Sequence, residues 1–549
     1  MRVKRKTWYY AGKDVILLSW MNEYPRPQLR RESFLCLNGQ WMLDDQAIQV
    51  PFPPQSRLSG FRGEVRYMLT YVKLFKLPAG FLPKGWRLRL HFGAVDQIAD
   101  VFFNGRPAAH HEGGYLPFWA DVTDWVKQGE NEIVVSVMDA LDHDYPYGKQ
   151  CKKRGGMWYT PVSGIWQTVW MEAVPPVCVE SLRITPDMTG ITMQIVSGCE
   201  SAQVIIPGVT ETRVPCGQPV RIDVPQPHLW TVDDPYLYSL RIIAGEDCVE
   251  SYFALRTVEV SGNRIMLNGE PVFLNGVLDQ GYFQEGIFLP EDPDEFAHDV
   301  RRMKELGFNM LRKHIKVEPE AFYHACDRLG MLVLQDMVNS GPYSFLLDTA
   351  LPTIGIKRRP LIPAGKKRAQ VFRDHSLATQ EHLYNHPCIV GYTIFNEGWG
   401  QHDTEALYRL LKENDATRFY DAASGWFTPK ETDVDSVHVY FRNKRLKPGV
   451  RPMLLSECGG YARSIAGHLF QPDAKYGYGK TDTEQALTDK IIRMYERMVI
   501  PAIPAGLCGV VYTQLSDVED EINGLYTYDR QVCKVEANRL CAFMKNVKI

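Results

Sequence analysis

The sequence predicts an all-β N-terminal part followed by a (β/α)8 barrel, on three observations. Residues 1 to about 260 carry short alternating apolar runs separated by turn residues. After Val260, strand-like runs alternate with amphipathic helical ones, the signature of βα units. Two of the later runs, Ile389–Phe395 and Met453–Ser456, lead into Glu397 with Gly398 and into Glu457 with Gly459. A buried parallel strand reads as such a run, and the end of a barrel strand is where reactive groups sit.

In the first part, Trp86–Phe92 and Glu132–Val137 alternate, with turn signals at Asn104–Gly105 and Gly113–Gly114 between them. A break near Val174–Pro176 starts a second β unit with runs at Ala202–Ile206 and Tyr236–Ile243, about the length of one small sandwich. Beyond it, Val272–Val277 reads as barrel strand one. Pro293–Leu306 reads as a helix ended by Gly307, and Met310–Ile315 as strand two. Pro319–Leu329 is a helix closed by Gly330, and Met331–Gln335 is strand three. Residues 338–368 read as a long proline- and basic-rich loop, with a helix following to Tyr384. Strand four is expected to end at Glu397, strands five and six at Phe419–Ala422 and Val437–Tyr440, and strand seven at Glu457. A helix over 483–499 leads to strand eight at Cys508–Gln514, and a last helix spans Val535–Met544. Eight strands in the stretch 261–549 fit one barrel.

The chain has 549 residues, 45% hydrophobic and 23% charged, an ordinary soluble composition long enough for several domains. A net charge of −3 argues against a general nucleic-acid or membrane-surface role. The basic start, Met1–Lys6, is followed by an apolar run, Val15–Leu18, too short for a signal-peptide core, and no stretch reaches membrane-span length. The 12 cysteines are scattered singly, and Cys326, Cys388, Cys458 and Cys508 sit in apolar segments. They read as reduced core residues, so cytoplasm is the expected location.

Glu397 and Glu457 fall on strands four and seven. Two glutamates on different strands are what glycoside hydrolysis needs, one as acid and the other as nucleophile or base. Their environments must split their protonation states. The bland reading of a lone strand-ending glutamate is a salt bridge at the barrel mouth.

Further motifs then converge. Leu37–Trp41, Val50–Pro54, Gly164–Trp170, Asn309–Arg312, Cys326–Gly330, Asn396–Glu397 and Ser456–Glu457 with Gly459 together resemble glycoside hydrolase family 2, the family of β-galactosidases, β-glucuronidases and β-mannosidases. The resemblance covers essentially the whole chain. It implies a jelly-roll sugar-binding domain over 1–174, an immunoglobulin-like β-sandwich over 175–260, and a catalytic TIM barrel over 261–549. It implies a retaining double displacement with Glu457 as nucleophile and Glu397 as acid/base. Asn396 would hydrogen-bond the sugar 2-hydroxyl, and Tyr440 would donate to the nucleophile. Arg312 would be a cation near Glu457, or alternatively a structural ion pair. Asp279 and Tyr282 follow strand one and are candidates for sugar hydroxyls, as are His314, Asp336 and His438 at strand ends. Trp399 is either a sugar platform or a packed loop tryptophan.

Three departures narrow the substrate. The Glu-x-His pair of the Mg-dependent galactosidases is missing at Gln335–Val338, so no catalytic metal or other cofactor is expected. The Asn-x-Lys signature of the glucuronidases is missing at Glu521–Leu525. A tryptophan common at the end of strand eight gives way to Thr513–Gln514, which makes Gln514 and Asp517 candidates for shaping the pocket. The basic clusters Lys357–Arg359 and Lys366–Arg368 could attract an acidic sugar, although a solvated basic loop is the simpler reading. The expectation is an exo-β-glycosidase acting on a small glycoside, best a β-galactoside. The alternatives are a β-glucuronide or galacturonide, an α-L-arabinofuranoside, a β-mannoside, or a catalytically silent carbohydrate-binding protein. No nucleic-acid or membrane partner is expected; a homo-oligomer is left open.

Overall fold

The computed structural model describes residues 19–353, 356, 364–440 and 444–549. The basic start, the run Val15–Leu18 and the cluster Lys357–Arg359 lie outside the described residues.

The N-terminal domain stacks two antiparallel sheets. The larger runs in the order Gln46–Val50, Gly39–Leu43, Met68–Lys76, Glu130–Met138, Ile98–Phe103, Arg106–Glu112. The smaller runs Leu35–Cys36, Val169–Val174, Arg87–Phe92, Phe118–Asp121. Glu130–Met138 buries every second residue, as its sequence demands. Trp41, Tyr71, Leu90, Val101 and Val135 form the core between the sheets.

Arg87–Phe92 corrects the expected alternation, because nearly all of it is buried. Arg89 reaches Glu180 at 2.6 Å, and His91 stacks on Trp170 at 4.8 Å, so its polar face is also covered. Alternation in sequence marks two faces but cannot say that both are covered.

The middle β-sandwich packs Val179–Pro186, Gly190–Ser197 and Val220–Asp223 against a four-stranded sheet ordered Thr210–Pro215, Ser201–Ile206, Tyr238–Ala244, Asp247–Phe253. Its core contains Ile184, Ile195, Val204, Leu240 and Phe253.

The barrel strands are Leu274–Asp279, Met310–Lys313, Leu332–Asp336, Ile389–Thr393, Phe419–Asp421, Asp435–Val439, Met453–Gly459 and Leu507–Thr513, numbered one to eight. All ladders are parallel and the order is 5-4-3-2-1-8-7-6. Strands five and six are the two ends of the ladder, bridged by Asp433, whose N–H donates to Tyr420 O at 3.1 Å and whose Oδ2 accepts from Tyr420 N at 2.9 Å. Seven of the eight strands are buried at every residue, which fits a sheet covered on both faces, while Asp435–Val439 buries only alternate residues.

The expected helices form at Asp294–Glu305, Glu320–Leu329, Lys366–Leu383, Glu484–Met494 and Ala537–Met544. The helix Thr404–Asn414, between strands four and five, was not anticipated. The loop after strand three holds a helical stretch over Phe345–Thr353, and Lys366–Arg368 belong to the following helix rather than to the loop.

Strand four stops at Thr393, four residues short of Glu397. The chain there follows the end of strand five and the segment beyond it: Ile394 N donates to Asp421 O, and Glu397 N to Ser424 O, both at 2.9 Å. No helix among the described residues is long and apolar enough to cross a membrane. All 12 cysteines are free, and Cys326, Cys388, Cys458 and Cys508 are buried.

Candidate active site

Two local devices aim the two glutamates. Glu397 has a left-handed backbone, φ +54°, which a non-glycine residue adopts only where its surroundings enforce it. The enforcing contacts are the Glu397–Ser424 hydrogen bond and the Asn396–Ser424 bridge. Glu457 lies inside strand seven at an irregularity, where the ladder to strand eight skips from Leu455 to Cys458 and the ladder to strand six skips so that His438 faces Glu457. A bulge of this kind re-aims a side chain.

One oxygen of Glu397, one ring nitrogen of His438 and one oxygen of Glu457 lie within 4.8 Å of one another. His438 Nδ1 is 2.7 Å from Glu397 Oε1, while its Nε2 is 2.9 Å from Ser424 Oγ and 3.6 Å from Glu457 Oε1. That spacing would also suit a cation. The positive charge beside Glu457 is, however, already supplied by Arg312.

Arg312 is fully buried at the base of the site. Its Nη1 donates to Glu457 Oε1 at 3.0 Å and to Ser456 O at 3.1 Å, its Nη2 to Asn396 Oδ1 at 2.9 Å, and its Nε to Asp336 Oδ1 at 3.0 Å. Asp336 in turn sits 2.7 Å from His314 Nδ1. Tyr440 donates its hydroxyl to the other Glu457 oxygen, and its ring stacks on Tyr478 with centroids 4.3 Å apart. Burial alone would raise the Glu457 carboxyl. The charges of His438, Arg312 and His314 and the Tyr440 hydroxyl outweigh that and hold it down at about 2. Glu457 is therefore an ionised, hydrogen-bonded carboxylate at neutral pH. Asn396, with its oxygen committed to Arg312, presents its amide N–H groups without a protein partner among the described residues.

The other sequence candidates separate into groups. Asp279 is buried, with one oxygen on Lys313 Nζ at 2.6 Å and the other on Gly281 N at 2.9 Å. Trp399 is packed edge-on against Trp158 at 5.0 Å and Tyr147 at 5.4 Å, with its indole N–H on Gly341 O. Asp517 Oδ1 accepts from Lys534 at 2.6 Å, and burial pushes its carboxyl up to about 6 against the pull of that lysine. Gln514 donates to Asn523 Oδ1 at 2.8 Å, while its Oε1 is buried with no partner among the described residues. Tyr282 is likewise buried with a hydroxyl that has no partner there.

Several residues escaped the sequence reading. Ser424 and Ser436 join Ser456, already part of the Ser456–Glu457 motif, in a buried hydroxyl cluster under His438, with Ser436 and Ser456 oxygens 2.5 Å apart. Tyr159 of the N-terminal domain donates to Glu521 beyond strand eight at 2.5 Å. Neither carries a local sequence signal, because each contact joins distant parts of the chain.

The comparisons agree with this architecture. The model described as "Glycosyl hydrolases family 2, sugar binding domain" matches residues 45–175, "Glycosyl hydrolases family 2" matches 179–256, and "Glycosyl hydrolases family 2, TIM barrel domain" matches 258–447. A beta-galactosidase of Thermoanaerobacter pseudethanolicus is 25% identical over 380 residues, covering 64% of this chain and 47% of the relative. The chain thus spans less than half the length of that curated relative. A beta-glucuronidase structure from an uncultured Clostridium sp. superposes with a TM-score of 0.75 at 20% identity, covering 94% of this chain and 99% of the other. The beta-D-glucuronidase of Dictyoglomus thermophilum gives a TM-score of 0.74 at 20% identity, covering 95% and 98%. With all three family models matched in sequence order onto the three domains, the chain belongs to glycosyl hydrolase family 2.

Proposed function

We propose that the chain is a retaining exo-β-glycosidase. The observation that carries this reading is the separation of the two glutamates, with carboxylate oxygens within 4.8 Å at the C-terminal end of the barrel. Retaining hydrolysis uses carboxyl groups about 5–5.5 Å apart, and inverting hydrolysis leaves room for water at about 6.5–9.5 Å.

In this reading Glu457 attacks the anomeric carbon as the bond to the aglycone breaks, and Glu397 gives its proton to the departing oxygen. Water then attacks the glycosyl ester of Glu457, Glu397 takes the water's proton, and the Glu457 carboxylate leaves. Tyr440 and Arg312 hold Glu457 ionised and aimed. Asn396 donates to the sugar 2-hydroxyl, its amide fixed by Arg312. His438 positions Glu397, and His314 and Asp336 act through Arg312 rather than on the sugar. Tyr282 and Gln514, with their unpaired polar atoms, are pocket residues, whereas Asp279, Asp517 and Trp399 are supports held by Lys313, Lys534 and Gly341.

The names of the sequence relatives favour a β-galactoside. A second reading, a β-uronide, is favoured by the names of the structural neighbours and by Lys149, a buried lysine 5.6 Å from the Trp158 ring that forms no hydrogen bond or ion pair among the described residues. A panel of aryl β-glycosides differing only in the sugar tests both, with the anomer of the first product read by NMR. Retention, and loss of several orders of magnitude in Glu457→Gln, are expected. Inversion would remove the nucleophile role, and sugar binding without cleavage of any glycoside would leave only a carbohydrate-binding protein.

A further inference from the structure

The loop joining Glu130–Met138 to Gly164–Ile165 in the N-terminal domain lies across the C-terminal face of the barrel. Tyr147 N donates to Asn339 O at 3.0 Å and Tyr147 Oη to Gly341 O at 2.8 Å, beyond strand three. Tyr159 and Thr160 are held by Glu521 and Glu519, beyond strand eight. Gly148, φ +66°, runs so close to the segment after strand two that a Cβ there would stand 2.9 Å from Ile315 O.

The next residue is Lys149. It is only 8% exposed, its Nζ lies 5.6 Å from the centre of the Trp158 ring, and Trp158 packs on Trp399 two residues beyond Glu397. Among the described residues its ammonium makes no hydrogen bond and no ion pair. Glu521, the carboxylate that its charge reaches, is otherwise bonded by Tyr159 and Asn523. The charge of Lys149 is nevertheless felt on both sides of the mouth. It adds to the burial that lowers His314 beyond strand two, and it opposes the burial that raises Glu521 beyond strand eight. The side chain is largely buried and forms no ion pair among the described residues, so a trigonal anion brought within hydrogen-bond distance of its ammonium gains a charge-assisted bond that a neutral hydroxyl does not match. Tyr282, whose hydroxyl is unpaired, packs against Tyr159 at 4.8 Å on the same side.

We propose that Lys149 is a specificity-determining residue contributed to the barrel's site by the N-terminal domain, and that it binds a carboxylate carried by the sugar. The proposal rests on the glycosidase reading of Glu397 and Glu457, which it deepens by naming the substrate class.

The test uses matched aryl glycosides that differ only at C5: β-galactoside with β-galacturonide, and β-glucoside with β-glucuronide. The intact chain, Lys149→Met and Lys149→Arg are compared, with Lys149→Gln replacing the methionine variant should that fail to fold. The wild type is expected to favour the uronide of at least one pair. Lys149→Met should lower the uronide-to-neutral ratio of kcat/KM roughly 100-fold, and Lys149→Arg should recover part of it. Calorimetry with the free uronic acids gives a readout independent of turnover and should show binding that Lys149→Met loses. Preference for the neutral member of both pairs, or a ratio that moves less than about threefold, overturns the proposal. Lys149-dependent uronic acid binding without cleavage would instead sink the glycosidase reading and keep the anion site. Absence of both cleavage and Lys149-dependent binding overturns the proposal.

Discussion

Tyr440→Phe removes one atom and keeps the ring that stacks on Tyr478, so it isolates the hydroxyl donated to Glu457. A hydrogen bond to a charged group is worth about 1.5–3 kcal/mol. At about 1.4 kcal/mol per pKa unit, its loss should raise Glu457 by about one to two units. From about 2 that leaves the carboxylate ionised at neutral pH, because Arg312 still bonds its other oxygen. The variant should thus lose activity through poorer aim and weaker transition-state stabilisation rather than through protonation. The expected fall in kcat/KM is roughly 10- to 150-fold at pH 7, with the acid limb of the pH profile moved upward by about one to two units. The assay is kcat/KM for one aryl glycoside from about pH 2 to about pH 9, with thermal melting at each pH as the control for folding. Activity within about twofold of wild type and an unmoved acid limb would refute the role of Tyr440 and leave it a packing residue.

Other perturbations bear on different parts of the account. Glu397→Ala should slow poor leaving groups far more than activated ones, and azide should restore turnover of the activated substrates as a β-glycosyl azide; equal losses for all leaving groups would argue against the acid/base role. Arg312→Met strips the base of the site of its cation and leaves Glu457 and Asp336 facing each other; it should destabilise the fold by about 3–5 kcal/mol in denaturant titration as well as abolish activity. A change within about 1 kcal/mol would show that the ion-pair cluster contributes little. Asp421 is fully buried at the end of strand five, and burial pushes its carboxyl up to about 6 against the pull of the Ser436 hydroxyl and the Arg312 charge. Its native state holds a proton that the unfolded chain releases near pH 4, so stability falls as pH rises from about 4 to about 6. Relative to Asp421→Asn, the wild type should lose up to about 3 kcal/mol across that window, and parallel melting-temperature profiles for the two proteins would contradict a carboxyl raised by burial.

Sequence pattern carried most of the frame. Apolar runs located all eight barrel strands within a few residues, since a strand buried on both faces has little freedom in composition. The two glutamates stood out because apolar runs lead into them, and Asn396 and Tyr440 through the family resemblance. What escaped was set by contacts between distant segments. The backbone turn at Glu397 is enforced by Ser424, and nothing within the strand-four run announces that the strand stops at Thr393. Arg312 was legible as a cation near Glu457, but its commitment to four protein groups depends on strands two, three and seven and the segment after strand four meeting at one point. Trp399 was equally open as a platform or a packed residue, and Trp158 and Tyr147 of another domain settle its packing. Lys149 had no signal at all, being one lysine in a basic loop until that loop is laid over the barrel.

The assignment of roles to the two glutamates is tested most directly by trapping the covalent intermediate. The enzyme is incubated with an activated 2-deoxy-2-fluoro β-glycoside of the sugar it prefers, then digested and mapped by mass spectrometry. The account predicts one glycosyl group per chain, esterified to Glu457. A label on Glu397, or turnover with no covalent adduct and an inverted product, would contradict it.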